Sequence, residues 1–78
     1  INCVYRFEHN NQGFYLRLTH ESIRTEAELS GSIDFQQHLW QQNVPVCQPL
    51  LSRQDCFIET IQQDNLSFLA HVSREVPG

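Results

Sequence analysis

The chain contains no lysine; its five basic residues are Arg6, Arg17, Arg24, Arg53 and Arg74. Any grip on a phosphate or carboxylate must therefore be a planar guanidinium fork and not a mobile ammonium. Methionine is absent as well, and glycine occurs three times in 78 residues. That scarcity excludes a glycine-rich phosphate cradle of the P-loop kind, and there is no Gly-x-Ser-x-Gly elbow. The three cysteines, Cys3, Cys47 and Cys56, are odd in number and far apart, which is not a disulfide framework. Their apolar neighbours predict buried free thiols in a reducing compartment, and hence a cytoplasmic location. The four histidines make no His-x-x-x-His set and the cysteines no Cys-x-x-Cys, so no zinc site is expected. No apolar run approaches the ~20 residues that span a bilayer, and no signal-peptide pattern occurs. The net charge of −4 argues against nucleic acid or an anionic membrane as partner, because such surfaces need clustered Lys and Arg.

What is present suffices for one small domain, residues 1–78, able to bury roughly 60% of its unfolded surface. Cys3–Glu8 alternates Cys3, Tyr5 and Phe7 with Val4, Arg6 and Glu8, the period of a strand. His9–Gly13 is a polar turn in which Asn and Gly suit positive φ. Gly13–Thr19 alternates again, with Tyr15, Arg17 and Thr19 on one face and Phe14, Leu16 and Leu18 on the other. The two strands predict an antiparallel hairpin with a loop of four or five residues. Residues 20–24 form a polar connector carrying Arg24. Thr25-Glu26-Ala27-Glu28 is a capping box that opens a helix with Leu29, Ile33, Leu39 and Trp40 as its apolar stripe and Phe35 partly in it. Trp40 and Phe35 are expected in the core, with Trp40 and Leu39 packed on the inner face of the hairpin. Gly31 and Ser30 weaken the middle of this helix, which should stop near Asn43, ahead of Pro45.

Two prolines hold 44–49 extended, and Leu50-Leu51 forms a short strand. Ser52–Asp55 is a turn, Cys56–Ile61 a strand, Gln62–Asn65 a turn, and Leu66–Val72 the last and most apolar strand. Glu59 reads as a solvated strand residue, and His38 and His71 as structural or surface residues. The order β-β-α-β-β-β predicts an α+β domain, a twisted antiparallel sheet with one packed helix.

These words in this order resemble the N-terminal lobe of the aminoglycoside phosphotransferase family, within the protein-kinase-like superfamily. The matching stretches are Asn2-Cys3-Val4-Tyr5-Arg6-Phe7, Tyr15-Leu16-Arg17-Leu18, Asn43-Val44-Pro45-Val46 with Pro49, and Glu75-Val76-Pro77-Gly78. The resemblance implies a lobe that binds ATP or GTP against a larger C-terminal lobe, which would bring the catalytic base and the carboxylates for Mg2+. Nothing here resembles His-Gly-Asp followed by Asn, so the chain is expected to be the nucleotide-binding lobe of a longer small-molecule kinase, inactive alone. By the same likeness Arg17 stands where kinases carry the strand lysine that holds the α- and β-phosphates. Tyr15 would lie toward the base, and Asn2 would close the loop over the phosphates. Ser73, Arg74, Glu75 and Val76 would be the hinge that reads the base edge. The helix position that usually supplies a Glu to pair with the strand cation corresponds to Ser32, with Glu28, one turn earlier, as the expected substitute and Asp34 as the weaker one. The partners implied are the nucleotide, a small-molecule acceptor and the C-terminal lobe. A protein-kinase lobe fits less well, since a Gly-rich loop and a lysine are both missing. The reading from another class is a stand-alone interaction module without catalysis, in which Arg17 is a surface residue on a half-buried strand.

Overall fold

In the computed structural model, residues 2–76 are described, Asn2 by its backbone alone. Among the described residues, strands β1 (Asn2–His9), β2 (Gln12–His20), β3 (Gln48–Leu50), β4 (Glu59–Gln63) and β5 (Leu66–Arg74) form one antiparallel sheet with a single helix, α1 (Glu26–Gln41), between β2 and β3. The expected α+β order holds. β5, the most apolar strand in the sequence, is central: β2 covers one of its edges, while β4 and β3 share the other, β4 along residues 66–70 and β3 along 72–74.

Both hairpins turn more tightly than expected. β1 and β2 are joined by Asn10 and Asn11 at φ 52° and 64°, and β4 and β5 by Asp64 and Asn65 at φ 52° and 65°. Paired positive φ is the geometry that matches strand twist in two-residue loops, and Asn and Asp tolerate it. Gly13 is therefore not a turn residue. It is buried in β2, where the Glu75 side chain crosses over it and would collide with any Cβ.

Helix α1 starts as its capping box dictates. Thr25 Oγ1 accepts from the Glu28 amide at 3.2 Å, and the Glu28 carboxylate accepts from the Thr25 amide at 3.0 Å. The C-cap is Gln42, followed by Asn43 at φ 64°, the left-handed residue expected there. Leu29 and Ile33 bury themselves on Leu69 of β5, with Phe57 and Ile58 packed against them.

The C-terminal half of the helix departs from expectation. Trp40 is 40% exposed and Phe35 63% exposed, so neither is a core residue. Phe35 stands about 200° round the helix from Ile33 and faces away. Trp40 is in phase with Leu29, but it lies at the edge of the sheet, beside Gln48 of β3 and Arg74 at the end of β5. Its neighbour is the three-residue β3, not the hairpin, and Trp40 borders Val44, Pro45, Val46 and Val76 instead.

The apolar run Cys56-Phe57-Ile58 precedes β4 without joining it. A turn closed by Ser52 N–H on Cys56 O at 2.8 Å holds this segment, and Ser52 Oγ donates to Glu59 at 2.5 Å. Glu59 is thus half-buried and engaged. Cys56 is exposed, and Cys3 and Cys47 are partly buried free thiols.

Gly31 sits mid-helix, with nothing within 4 Å of the Cβ it lacks. Gly31→Ala should stabilise the domain by about 0.5–1 kcal/mol through helix propensity alone. A urea midpoint that fails to rise would show that the helix is not limiting.

Candidate functional site

The sheet has an inner face, beneath α1, that carries the chemistry. Register sets Arg17 opposite His71, Tyr15 opposite Ser73 and Thr19 opposite Leu69. All of these odd-numbered residues point the same way, because side chains alternate along a strand. Toward the middle, Thr19 and Leu69 are buried. Toward the other end the helix and sheet diverge, leaving a concavity of about 470 Å³ lined by Arg17, His71, Tyr15 and Ser73 from the sheet and by Arg24, Ser32 and Gln36 from above. Cys47 and Val46 close its side, where Gln36 Nε2 donates to Cys47 O.

Its charge is one-sided. Two guanidinium groups, Arg17 and Arg24, line it, and none of the chain's nine acidic residues does. Among the described residues the ion pairs are Arg6–Glu8 and Arg6–Glu75, so neither cavity arginine is in an ion pair, although the Glu28 carboxylate feels the charge of Arg24. In a chain of net charge −4, this concavity is suited to an anion.

The structure gathers some of the expected site residues and separates others. Arg17, Tyr15, Ser73 and Val76 share the concavity. Asn2 opens β1 opposite Thr19; its side chain lies outside the described residues. Glu28 is not brought to Arg17: its carboxylate accepts from the Thr25 amide and hydroxyl, both at 3.0 Å, and these bonds hold its pKa below the ordinary value. Ser73 and Arg74 still belong to β5, and Arg74 faces away, level with Phe14 and Gln48. Glu75 leaves the strand and is anchored by Arg6 at 2.7 Å, with Tyr15 Oη donating to it at 3.4 Å. These bonds, Arg6 first, lower the Glu75 pKa.

Sequence reasoning missed Arg24 and His71. Arg24 does not ride on a loose connector. Residues 21–24 are a turn fastened to His20, whose carbonyl accepts from Ile23 N at 2.9 Å and Arg24 N at 3.4 Å. Its guanidinium Nη2 then donates to Ser32 Oγ at 2.5 Å and to Glu28 O at 3.3 Å. His71 is buried on β5. The available signal was its place two residues before Ser73, which becomes informative only once β5 is registered against Arg17.

Burial lowers the His71 pKa from its ordinary value near 6.5, and the charges of Arg17 and Arg24 lower it further. The other polar groups of that concavity are Tyr15 and Ser73 of the sheet, Ser32 and Gln36 of α1 and the Cys47 thiol, and a smaller hollow that His71 also borders is lined by Glu59, Cys56 and Ser52. A depressed folded-state value means that the native state binds fewer protons than the unfolded chain. Its contribution to stability is thus full above about pH 6.5 and is lost as pH falls from there through the folded value. The thermal midpoint should drop between about pH 7.5 and about pH 5.5, and His71→Gln should flatten that drop. An equal slope in the variant would assign it to other groups.

No protein-family model and no curated protein matches the chain. Among solved structures, the chain is similar over 99% of its length to the amicoumacin kinase hAmiN in complex with AMP-PNP, Ca2+ and Ami, at TM-score 0.87 and 29% identity. The chain spans 24% of the length of that kinase. The match is to an aminoglycoside phosphotransferase-like kinase, and the fold is that of a kinase-like N-terminal lobe.

Proposed function

We propose that the chain is the nucleotide-binding lobe of a two-lobe kinase that transfers the γ-phosphoryl group of ATP or GTP to a hydroxyl of a small molecule. The observation that carries this reading is Arg17, projecting from the strand face beneath α1 into a concavity that has cationic and no acidic lining. The likeness to a kinase solved with AMP-PNP, Ca2+ and Ami supports a nucleoside triphosphate, a divalent ion and a small-molecule acceptor.

In this reading Arg17 grips the α- and β-phosphates in a forked pair of charge-assisted bonds. Tyr15 lies toward the base, Asn2 closes over the phosphates, and residues 73–76 form the hinge, with Ser73 and Val76 on the nucleotide side. Glu75, fixed by Arg6 and by its amide on Gly13 O at 2.9 Å, ties that hinge to β1 and β2. Phosphoryl transfer depends on positioning and on neutralising charge with Mg2+. The concavity offers no carboxylate to a metal, so this lobe supplies phosphate contacts, while the metal ligands and the base come from a C-terminal lobe. Alone, the chain transfers no phosphate.

The test is an assay of the full-length protein with Mg2+, ATP or GTP, and a panel of aminoglycoside, choline-like, sugar and amino-alcohol acceptors. Nucleotide turnover stimulated by one acceptor is expected. Absence of nucleotide binding by calorimetry would overturn the reading.

A further inference from the structure

We propose that Arg24 is a second cation of the phosphate grip, held in place by Ser32, so that helix α1 directs positive charge into the cavity. This rests on the nucleotide-binding reading above and deepens it, since a single strand cation is all that reading requires. The resemblance expects a helix carboxylate at Ser32 to pair with the strand cation. The structure holds the reverse: a hydroxyl that receives a hydrogen bond from another guanidinium.

Three features support the assignment. Arg24 is half-buried on a turn hydrogen-bonded to the end of β2, so its backbone is fixed relative to Arg17 on the same strand. Its two bonds, to Ser32 Oγ and Glu28 O, both come from Nη2, one nitrogen of a fork that carries five N–H donors. Both acceptors are uncharged, and the one carboxylate that feels the Arg24 charge, Glu28, is hydrogen-bonded by Thr25 and makes no ion pair with it. Two guanidinium groups on one concavity, neither in an ion pair, repel each other, and a polyanion between them turns that repulsion into attraction at both ends. A nucleoside triphosphate, with several phosphates in line, can engage both; the nucleoside portion engages neither.

The experiment is calorimetry on the full-length protein with MgATP or MgGTP, whichever binds tighter, and with the matching nucleoside. Arg24→Gln should weaken the triphosphate about tenfold, which is ~1.4 kcal/mol, and leave nucleoside affinity unchanged. Arg24→Lys should fall between, keeping the charge without the fork. Ser32→Glu sets a carboxylate beside Arg24 and should also weaken the triphosphate. If Ser32→Glu instead tightens binding, the site was short of the expected carboxylate and the proposal is overturned. Triphosphate affinity unchanged in Arg24→Gln, with affinity lost in Arg17→Ala, would overturn the two-arginine grip and leave the nucleotide reading standing. Equal weakening of triphosphate and nucleoside by Arg24→Gln would make Arg24 merely structural and would overturn it too.

Discussion

Leu69→Ala should destabilise the domain by about 2–5 kcal/mol, the range for truncating a buried leucine. Leu69 is fully buried, at 0% exposure, and it is where the two layers meet: Leu29 and Ile33 rest on it from the helix, and Phe57 and Ile58 reach it from the segment before β4. The buried cluster consists of Leu29, Ile33 and Leu69 among the described residues, so few neighbours can collapse into the space. Against a typical total of ~5–15 kcal/mol, that loss would leave much of the variant unfolded at physiological temperature. Trp40→Ala removes a larger side chain but a partly exposed one, and should cost well below the ~3–5 kcal/mol of a fully buried ring. Urea unfolding of the two variants gives the order directly. A larger loss for Trp40 than for Leu69 would place the core at the C-terminal half of the helix.

That reversal shows where sequence reading stops. Local rules worked where the physics is local. The capping box at Thr25 and Glu28, the left-handed Asn43, the alternation in β1 and β2 and the apolar run of β5 each involve residues within a few positions of one another. The phase of the helical stripe was also legible, and Trp40 does share the face of Leu29. What the stripe does not carry is the length of the sheet beneath it. With β3 reduced to three residues, the last helical turn has little sheet under it, and a residue in phase becomes exposed.

The site was legible in one half. Arg17 stands out as a lone cation between apolar neighbours on a strand. Arg24 does not, because its position depends on how His20 fastens the following turn, and its partner Ser32 lies eight residues on. The Arg6–Glu75 pair, separated by 69 residues, has no local signature at all. Glu28 was assigned to Arg17 by helical spacing, yet the capping box, itself visible in the sequence, already used that carboxylate. Two readings competed for one group, and the bonds to the adjacent Thr25 won because they require no long-range closure.

If the proposed nucleotide-binding role holds, Arg17→Ala in the full-length protein should raise the nucleotide KM and lower kcat, with little change in stability. Losing a forked, charge-assisted contact to phosphate is worth about 2–4 kcal/mol, so kcat/KM should fall between roughly thirtyfold and a thousandfold. Stability should hold because Arg17 is exposed and, among the described residues, makes no ion pair. Removing one of two like charges on the cavity also relieves repulsion around His71, whose pKa Arg17 helps to lower. Arg17→Lys should retain part of the activity, since charge persists while the planar fork is lost. Glu28→Gln separates the cap from the site. A glutamine still accepts at the third helical position of a capping box, so kinetics near those of the parent are expected if the carboxylate serves Thr25 alone. A rise in KM matching that of Arg17→Ala would instead return Glu28 to the phosphate grip. Unaltered kinetics in Arg17→Ala would reduce Arg17 to a surface residue on a half-buried strand, and with it would go the observation on which the kinase reading rests.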